Sequence, residues 1–482
     1  VSAPSVSGRS RVPRAGAAAS LAYAEPRTYW LDDPARPSPT ASLTGERQAD
    51  LVVVGGGYTG LWTALLARHR DPSRSVLLLE AGTCGDQASG RNGGFAAASL
   101  THGFGNGLER WPEELAQLDR LGAANLEEMG ATIAELGIDC DWRRSGELTV
   151  ATAPHQVDEL REVAAEVAAH GGDARWLDAA QTRALVDSPT YLGALHDPTS
   201  TALVEPARLA WGLRRACLDA GVEVCEQSRV TGLARDGAGV RLTVRGADGP
   251  GAVRAGRVAL ATNAFPPLLR RLRLMSVPVY DHVLMTEPLS PAQKAAIGWE
   301  GRQGIGDGAN LFHYYRLTRD DRILWGGYDA VYHWGSRIDA ALEQRERTHG
   351  LLAEHFFATF PQLEGLRFTH RWGGVIDTCT RFAAFYGTAV SGRVGYALGY
   401  TGLGVGASRF GAQVVLDLLE GADTERTRLR MVREQPLPFP PEPARSVGIN
   451  LTRWSLARAD ARGGRRNLWL RGLDRAGLGF DS

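Results

Sequence analysis

Lysine is almost absent from this chain. Lys294 is the only one, so nearly all of the 54 basic residues are arginine, and any chemistry needing an ammonium group has one place to find it. Net charge is absent too, because 54 acidic residues balance the basic ones; no overall field draws in nucleic acid or an anionic membrane, and neither partner is expected. The five cysteines, Cys84, Cys140, Cys217, Cys225 and Cys379, show no Cys-x-x-Cys spacing and no nearby histidine pairs. That excludes a disulfide framework and a zinc site, predicts no metal, and suits a reducing cytoplasm. No apolar run approaches the ~20 residues that cross a bilayer. The first twenty residues are rich in Ala, Ser and Arg without an apolar stretch, the composition of a disordered arm and not of a secretory signal.

What is present starts with Ala49 to Glu80. Leu51 to Val54 is a short continuous apolar run, as for a parallel strand covered on both faces. Gly-Gly-Gly-Tyr-Thr-Gly follows at 55–60, then a helical run to about His69, then the strand Val76 to Leu79 and Glu80. Strand, glycine turn, helix, strand and acid in that order form a dinucleotide-binding βαβ unit. Gly55 permits the turn, Gly57 admits a pyrophosphate to the helix N-terminus, Gly60 lets helix and strand pack closely, and Glu80 receives ribose hydroxyls.

The rest is read in outline. Helices are expected near 113–136, 155–170, 206–220, 338–357, 408–419 and 450–460, the last docked on the surface. A turn at Asp248–Gly251 joins strands at 239–244 and 257–261. Aromatic strand-like stretches at 277–287, 310–317 and 322–328 suggest a second, mainly antiparallel sheet. The glycine-rich loops at 88–94 and 399–406 suggest backbone lying close to something flat and a helix N-terminus aimed at the same cofactor.

Four stretches carry a family resemblance: Val-Gly-Gly-Gly-Tyr-Thr-Gly with Leu-Leu-Glu at 54–80, Ser-Gly-Arg-Asn-Gly-Gly at 89–94, Ala-Thr-Asn-Ala-Phe at 261–265 and Gly-Tyr-Thr-Gly-Leu-Gly at 399–404. In this order they resemble the D-amino-acid oxidase/glycine oxidase superfamily, most of all its γ-glutamylputrescine oxidoreductase branch, as do Trp-Gly-Gly at 372–374 and Thr-Glu-Pro-Leu at 286–289. The resemblance implies an α/β fold: a two-dinucleotide-binding-type, Rossmann-like FAD domain with an inserted α+β substrate domain. The boundaries read are an N-terminal arm 1–48, FAD-binding parts 49–140, 201–275 and 371–430, substrate-domain parts 141–200 and 276–370, and a C-terminal extension 431–482. It further implies that Gly55, Gly57, Gly60 and Glu80 hold the ADP half of FAD, that Ser89, Gly90, Arg91, Asn92, Gly93 and Gly94 line the flavin ring, and that Val230 and Thr262 flank adenine and pyrophosphate. Tyr58, Thr59, Ala81, Asn263, Gly374, Gly402, Leu403 and Gly404 complete the candidate cofactor set.

Flavin chemistry of this family implies a small-molecule amine or amino acid as hydride donor, an imine that hydrolyses to aldehyde or keto acid, and O2 or another electron acceptor. An N-dealkylating or α-amino-acid oxidase, a noncatalytic electron-relaying FAD subunit, and, less well matched, an NAD-dependent dehydrogenase are the alternatives. In the substrate sheet, His282 and His313 are candidate proton acceptors, with Tyr315 and Trp325 as further catalytic candidates. Trp325 stands where sarcosine oxidases of this resemblance place a lysine. Tyr280, Tyr328 and Tyr400 are candidates for lining the substrate site, and Arg316, Arg371 and Arg381 for gripping a carboxylate. Cys379 stands roughly where some relatives attach flavin covalently.

Overall fold

The computed structural model describes residues 15–479. Its first sheet has eight strands, ordered Phe385–Ala389, Val394–Leu398, Gly249–Leu260, Gly45–Val54, Val76–Leu79 and Glu223–Cys225 along the main path. The inner neighbours are parallel, and Leu51 to Val54 are at most 6% exposed. Helices cover one face, through Leu51 and Val53, and the antiparallel meander covers the other, through Val52 and Val54, so these strands carry no polar alternation; each fully buried Val or Leu contributes about 1.5–3 kcal/mol. Helix Tyr58–Arg70 packs between helices Pro206–Asp219 and Gly404–Glu420. Strands Ser228–Asp236 and Gly239–Gly246 extend Gly249–Leu260 as an antiparallel meander.

The second sheet has nine strands drawn from two separated stretches of chain. Glu147–Ala151, Gly193–Asp197 and Arg175–Asp178 come from the first; Val277–Thr286, Gly304–Asp307, His313–Leu317, Ile323–Gly327, Val331–Tyr332 and Phe368–Thr378 come from the second. All its pairings are antiparallel except Gly304–Asp307 with Glu147–Ala151. Helix Glu346–Thr359 lies on one face and buries Leu352, Ala353 and Phe356. The other face looks toward the first sheet's glycine loops.

Several expectations are corrected. Residues 1–14 lie outside the described residues, but Ala15–Ser20 is a helix and not a disordered arm, with Ala17 packed in the core beside helix Glu346–Thr359. The hairpin bend falls at 247–248, since Gly246 already pairs with Gly249. The helix expected from 338 starts at Glu346, because Asp339 caps a separate 3-10 turn, Ala340–Glu343, through the Ala341 amide. The helix expected from 408 starts at Gly404, and the one expected from 450 starts at Ala444.

Candidate functional site

A cavity of about 1120 Å³ lies between the two sheets. One wall is the first glycine bend. Gly55 has φ +112°, and a Cβ there would lie 2.4 Å from the Ala261 carbonyl oxygen; a Cβ on Gly60 would lie 1.8 Å from that of Gly55. Only glycine permits this contact of turn, helix and third strand. Gly57, where a Cβ would meet Ser89 Oγ at 2.9 Å, begins the helix and lines the cavity with Tyr58 and Thr59. The Tyr58 amide donates to Ser89 Oγ at 2.9 Å. The amides of Gly57, Thr59 and Gly60 have no protein acceptor among the described residues, as a helix N-terminus awaiting an anion requires.

Glu80 accepts from the Gly56 amide at 2.6 Å and the Gly82 amide at 2.7 Å. Burial pushes its carboxyl above the usual range, opposed by those two amides, so besides any ribose contact Glu80 locks the bend. Gly55, Gly60, Glu80, Ala81, Val230 and Thr262 lie outside this cavity's lining: Gly55, Glu80, Ala81 and Thr262 just beyond the ends of the parallel strands, Gly60 in the helix that follows the bend, and Val230 on the meander.

The loop at 88–94 forms the next wall through Ala88, Ser89, Arg91, Asn92 and Gly93. Its glycines serve contacts within the protein. A Cβ on Gly90 would strike the Gly85 carbonyl, one on Gly93 the Tyr314 ring, and one on Gly94 the Val204 carbonyl; Gly90 and Gly94 do not line the cavity. Asn92 clamps the loop, donating to the Ala88 and Ser89 carbonyls and accepting from the Gly94 amide. Trp30 and Trp372 each donate an indole N–H to it, at Asn92 and Arg91. Arg91 pairs with Glu343 at 2.5 Å.

The second glycine loop closes the wall. Gly402, Leu403 and Gly404 line it at the start of helix Gly404–Glu420. The amides of Gly402, Gly404 and Val405 have no protein acceptor among the described residues, leaving N–H groups and the positive helix end toward the cavity. Asp377 holds this loop, accepting from the Gly399 amide at 2.5 Å, and burial pushes its carboxyl up to about 7. Tyr400 receives the Thr59 hydroxyl at 3.0 Å, tying the two glycine loops together. Asn263 and Gly374 also line the cavity.

The facing sheet brings only some of the candidate residues to the cavity. Asp281 and Tyr314 reach the cavity, whereas His282, His313, Tyr315 and Trp325 are buried behind it and do not line it. His282 packs on His349, with ring centroids 5.4 Å apart. His313 meets Asp307 at 2.6 Å and His355 at 2.9 Å. Tyr315 bonds the Tyr191 hydroxyl, and Trp325 packs on Tyr315 and Phe356. These four are corrected from catalytic candidates to core residues, because helix Glu346–Thr359 buries their face.

The arginines are corrected likewise. Arg316 is fully buried, donates to the Val204 carbonyl and lies over the Trp30 ring. Arg381 donates to the carbonyls of Ala383, Ala384 and Glu434. Neither it nor Arg316 or Arg371 lines the cavity; Tyr280, Tyr328 and Tyr400 do. Cys379 lines it as a buried thiol that donates to the Ala383 and Gly399 carbonyls, and burial pushes its pKa up.

Asp281 is the site's distinctive group. It accepts the Tyr314 hydroxyl at 2.5 Å and the His282 amide at 2.8 Å. Burial pushes it up to about 6, against the lowering pull of those donors and the Gly327 amide. Neither Asp281 nor Tyr314 is among the candidates read from the sequence. The available signal was glycine: the Tyr314 ring lies where a Cβ on Gly93 or Gly326 would be, so small residues mark the face an aromatic side chain crosses. Also missed was the last wall, built by Leu437 to Pro440 and helices Ala444–Asp460 and Leu468–Arg475.

The bend, the bare amides and the flat berth between the loops fit a dinucleotide bearing a planar ring. The comparisons agree. The family model described as FAD dependent oxidoreductase (DAO) matches residues 50–418. The γ-glutamylputrescine oxidoreductase of Escherichia coli is 32% identical over 410 residues, 83% of this chain and 90% of that protein. The probable oxidoreductase OrdL of Haemophilus influenzae is 28% identical, over 84% and 90%. Among solved structures, glycine oxidase from Geobacillus kaustophilus superposes with a TM-score of 0.66 at 21% identity, covering 80% of this chain and 99% of that one. L-proline dehydrogenase from P. horikoshii superposes at 0.64 and 16% identity, over 79% and 96%. With its glycine bend, its facing sheet and these matches in agreement, the chain belongs to the FAD dependent oxidoreductase family.

Proposed function

We propose that the protein oxidises an amine at the carbon bearing nitrogen, with Asp281 taking the ammonium proton. The observation that carries this is the Asp281–Tyr314 pair, a hydrogen-bonded carboxylate and hydroxyl of the facing sheet that reach the cavity opposite the glycine loops. An ammonium cannot release hydride from its carbon until nitrogen has lost a proton and regained its lone pair. Asp281, held near 6, is ionised above that value; the Tyr314 hydroxyl and the His282 and Gly327 amides take three of its four lone-pair sites and leave one for the substrate. Tyr314 fixes the carboxylate's direction. The product imine hydrolyses in water to aldehyde or keto acid. The named activities of the γ-glutamylputrescine oxidoreductase and of the sarcosine oxidase β subunit of Arthrobacter, 26% identical, support an amine as substrate.

Bound FAD would supply the hydride acceptor. The amides of Gly57, Thr59 and Gly60 would hold its pyrophosphate, and the Ser89–Gly93 stretch would lie along its ring. The N–H groups at Gly402, Gly404 and Val405, with the dipole of their helix, would favour negative charge there. Lys294 sits at the surface, 2.9 Å from Asp321, so no lysine ammonium reaches the cavity. That supports an electron acceptor other than O2. Photoreduced holoenzyme mixed with oxygenated buffer tests it: slow reoxidation is expected, and rapid reoxidation with peroxide would show an oxidase. The free, buried cysteines support a reducing compartment such as the cytoplasm. Among the described residues no helix is long and apolar enough to cross a membrane.

The experiment for the base is Asp281→Asn. Flavin reduction by amine should slow by about 10²–10⁴-fold with FAD still bound; a variant reduced at the parent rate would remove Asp281 from the mechanism.

A further inference from the structure

The cavity continues past the Asp281–Tyr314 pair into a space walled by residues 437–479, which lie beyond the segment matched by the family model. This wall is firmly seated. Asp460 accepts from the Asn310 and Leu311 amides at 2.9 and 3.1 Å, the Glu442 carboxylate accepts the Tyr332 hydroxyl at 2.6 Å, and the Phe439 amide donates to the Leu274 carbonyl at 2.7 Å. Its inward surface is apolar, from Phe439, Ile449, Leu456, Leu470, Leu473 and Leu478. Its three arginines there each already hold a carboxylate: Arg453 meets Asp329, which Arg345 shares, at 2.6 Å, Arg466 meets Asp474 at 2.6 Å, and Arg445 meets Glu442 at 3.3 Å.

We infer that this space is a substrate subsite for an uncharged, apolar chain or ring carried on the amine, an inference that rests on the amine reading above. A carboxylate tail would have to compete with Asp329, Asp474 or Glu442 for an arginine. An ammonium tail would meet apolar walls and paired arginines. A hydrocarbon tail displaces water at no such cost and fills a surface of matching kind.

The test is anaerobic mixing of the holoenzyme with straight-chain alkylamines of increasing length, and with same-length amines ending in a carboxylate or a second ammonium. The apparent Kd, from the concentration dependence of flavin bleaching, is expected to fall about fourfold per added methylene over the first few carbons. Charged-end analogues should bind at least about tenfold more weakly than alkylamines of equal length, the factor that a buried unpaired charge readily exceeds. Ile449→Asp should abolish the length dependence of the apparent Kd while the visible spectrum of the bound flavin stays that of the parent. If the variant does not fold, the wild-type series still decides. Length-independent binding, or charged analogues binding as well as alkylamines, overturns the subsite alone. Bleaching by no amine of any series overturns the amine reading and the subsite with it.

Discussion

Asp281 shows how much hangs on one side chain's facing. Because burial holds its carboxyl near 6, the proton-accepting form is lost below that pH and present above it. The rate of flavin reduction should therefore climb with pH through about 6 and level off, and Asp281→Asn should lack that limb; a variant profile that keeps it would assign the limb to another group. Gly57 is the second residue-scale test. A Cβ there lies 2.9 Å from Ser89 Oγ, and the larger Gly57→Val side chain would crowd both that hydroxyl and the anion berth. Purified Gly57→Val should be colourless, and a fully yellow preparation would contradict the assigned bend. The two residues differed in legibility for a physical reason. Gly57 sits in a motif whose spacing is local, whereas Asp281 and His282 alternate on one strand, and period-two alternation names two faces without saying which one a distant helix will cover.

At the scale of elements, helix Glu346–Thr359 decides that question by carrying His349 and His355 onto the same face as His282 and His313. Burial depresses His349 and His355 to about 3 and His282 to about 4. Such histidines are neutral in the folded chain but protonate near 6.5 when unfolded. The stability they contribute is therefore complete above about 6.5 and is lost as pH falls toward their folded values, on the order of 1 kcal/mol per histidine by about pH 5.5. Asp281 and Asp377, raised by burial, act with the opposite sign, so the histidine contribution is best read as a difference. The parent's Tm should drop more between about pH 7.5 and 5.5 than that of His349→Leu; equal drops would show that the imidazole carries no such linkage. Elements fixed by local chemistry were legible, as with the strand at 51–54. The false helix start at 338 was not, because the Asp339 cap that isolates residues 340–343 imitates a helix N-terminus in sequence.

Over the whole molecule, the nine-stranded sheet draws on two chain segments that flank the meander of the first sheet, and the cavity lies where both sheets and the C-terminal helices meet. The four glycine-rich and small-residue stretches announced the first sheet's share of this cavity. The C-terminal share was invisible in sequence: helix Ala444–Asp460 exposes Trp454 and Val447 on one side and lines the cavity with Ile449 and Leu456 on the other, a pattern indistinguishable from surface docking. Molecule-scale packing also fixes Cys379 as a buried thiol. FAD should accordingly be held without a covalent bond: after acid precipitation the yellow colour should stay in the supernatant, and a yellow pellet would contradict this. The most direct test of the amine reading is anaerobic mixing of the holoenzyme with a panel of amines and amino acids while flavin absorbance is followed. At least one amine should bleach the flavin completely in the absence of oxygen; a flavin left oxidised by every member of the panel would contradict the account.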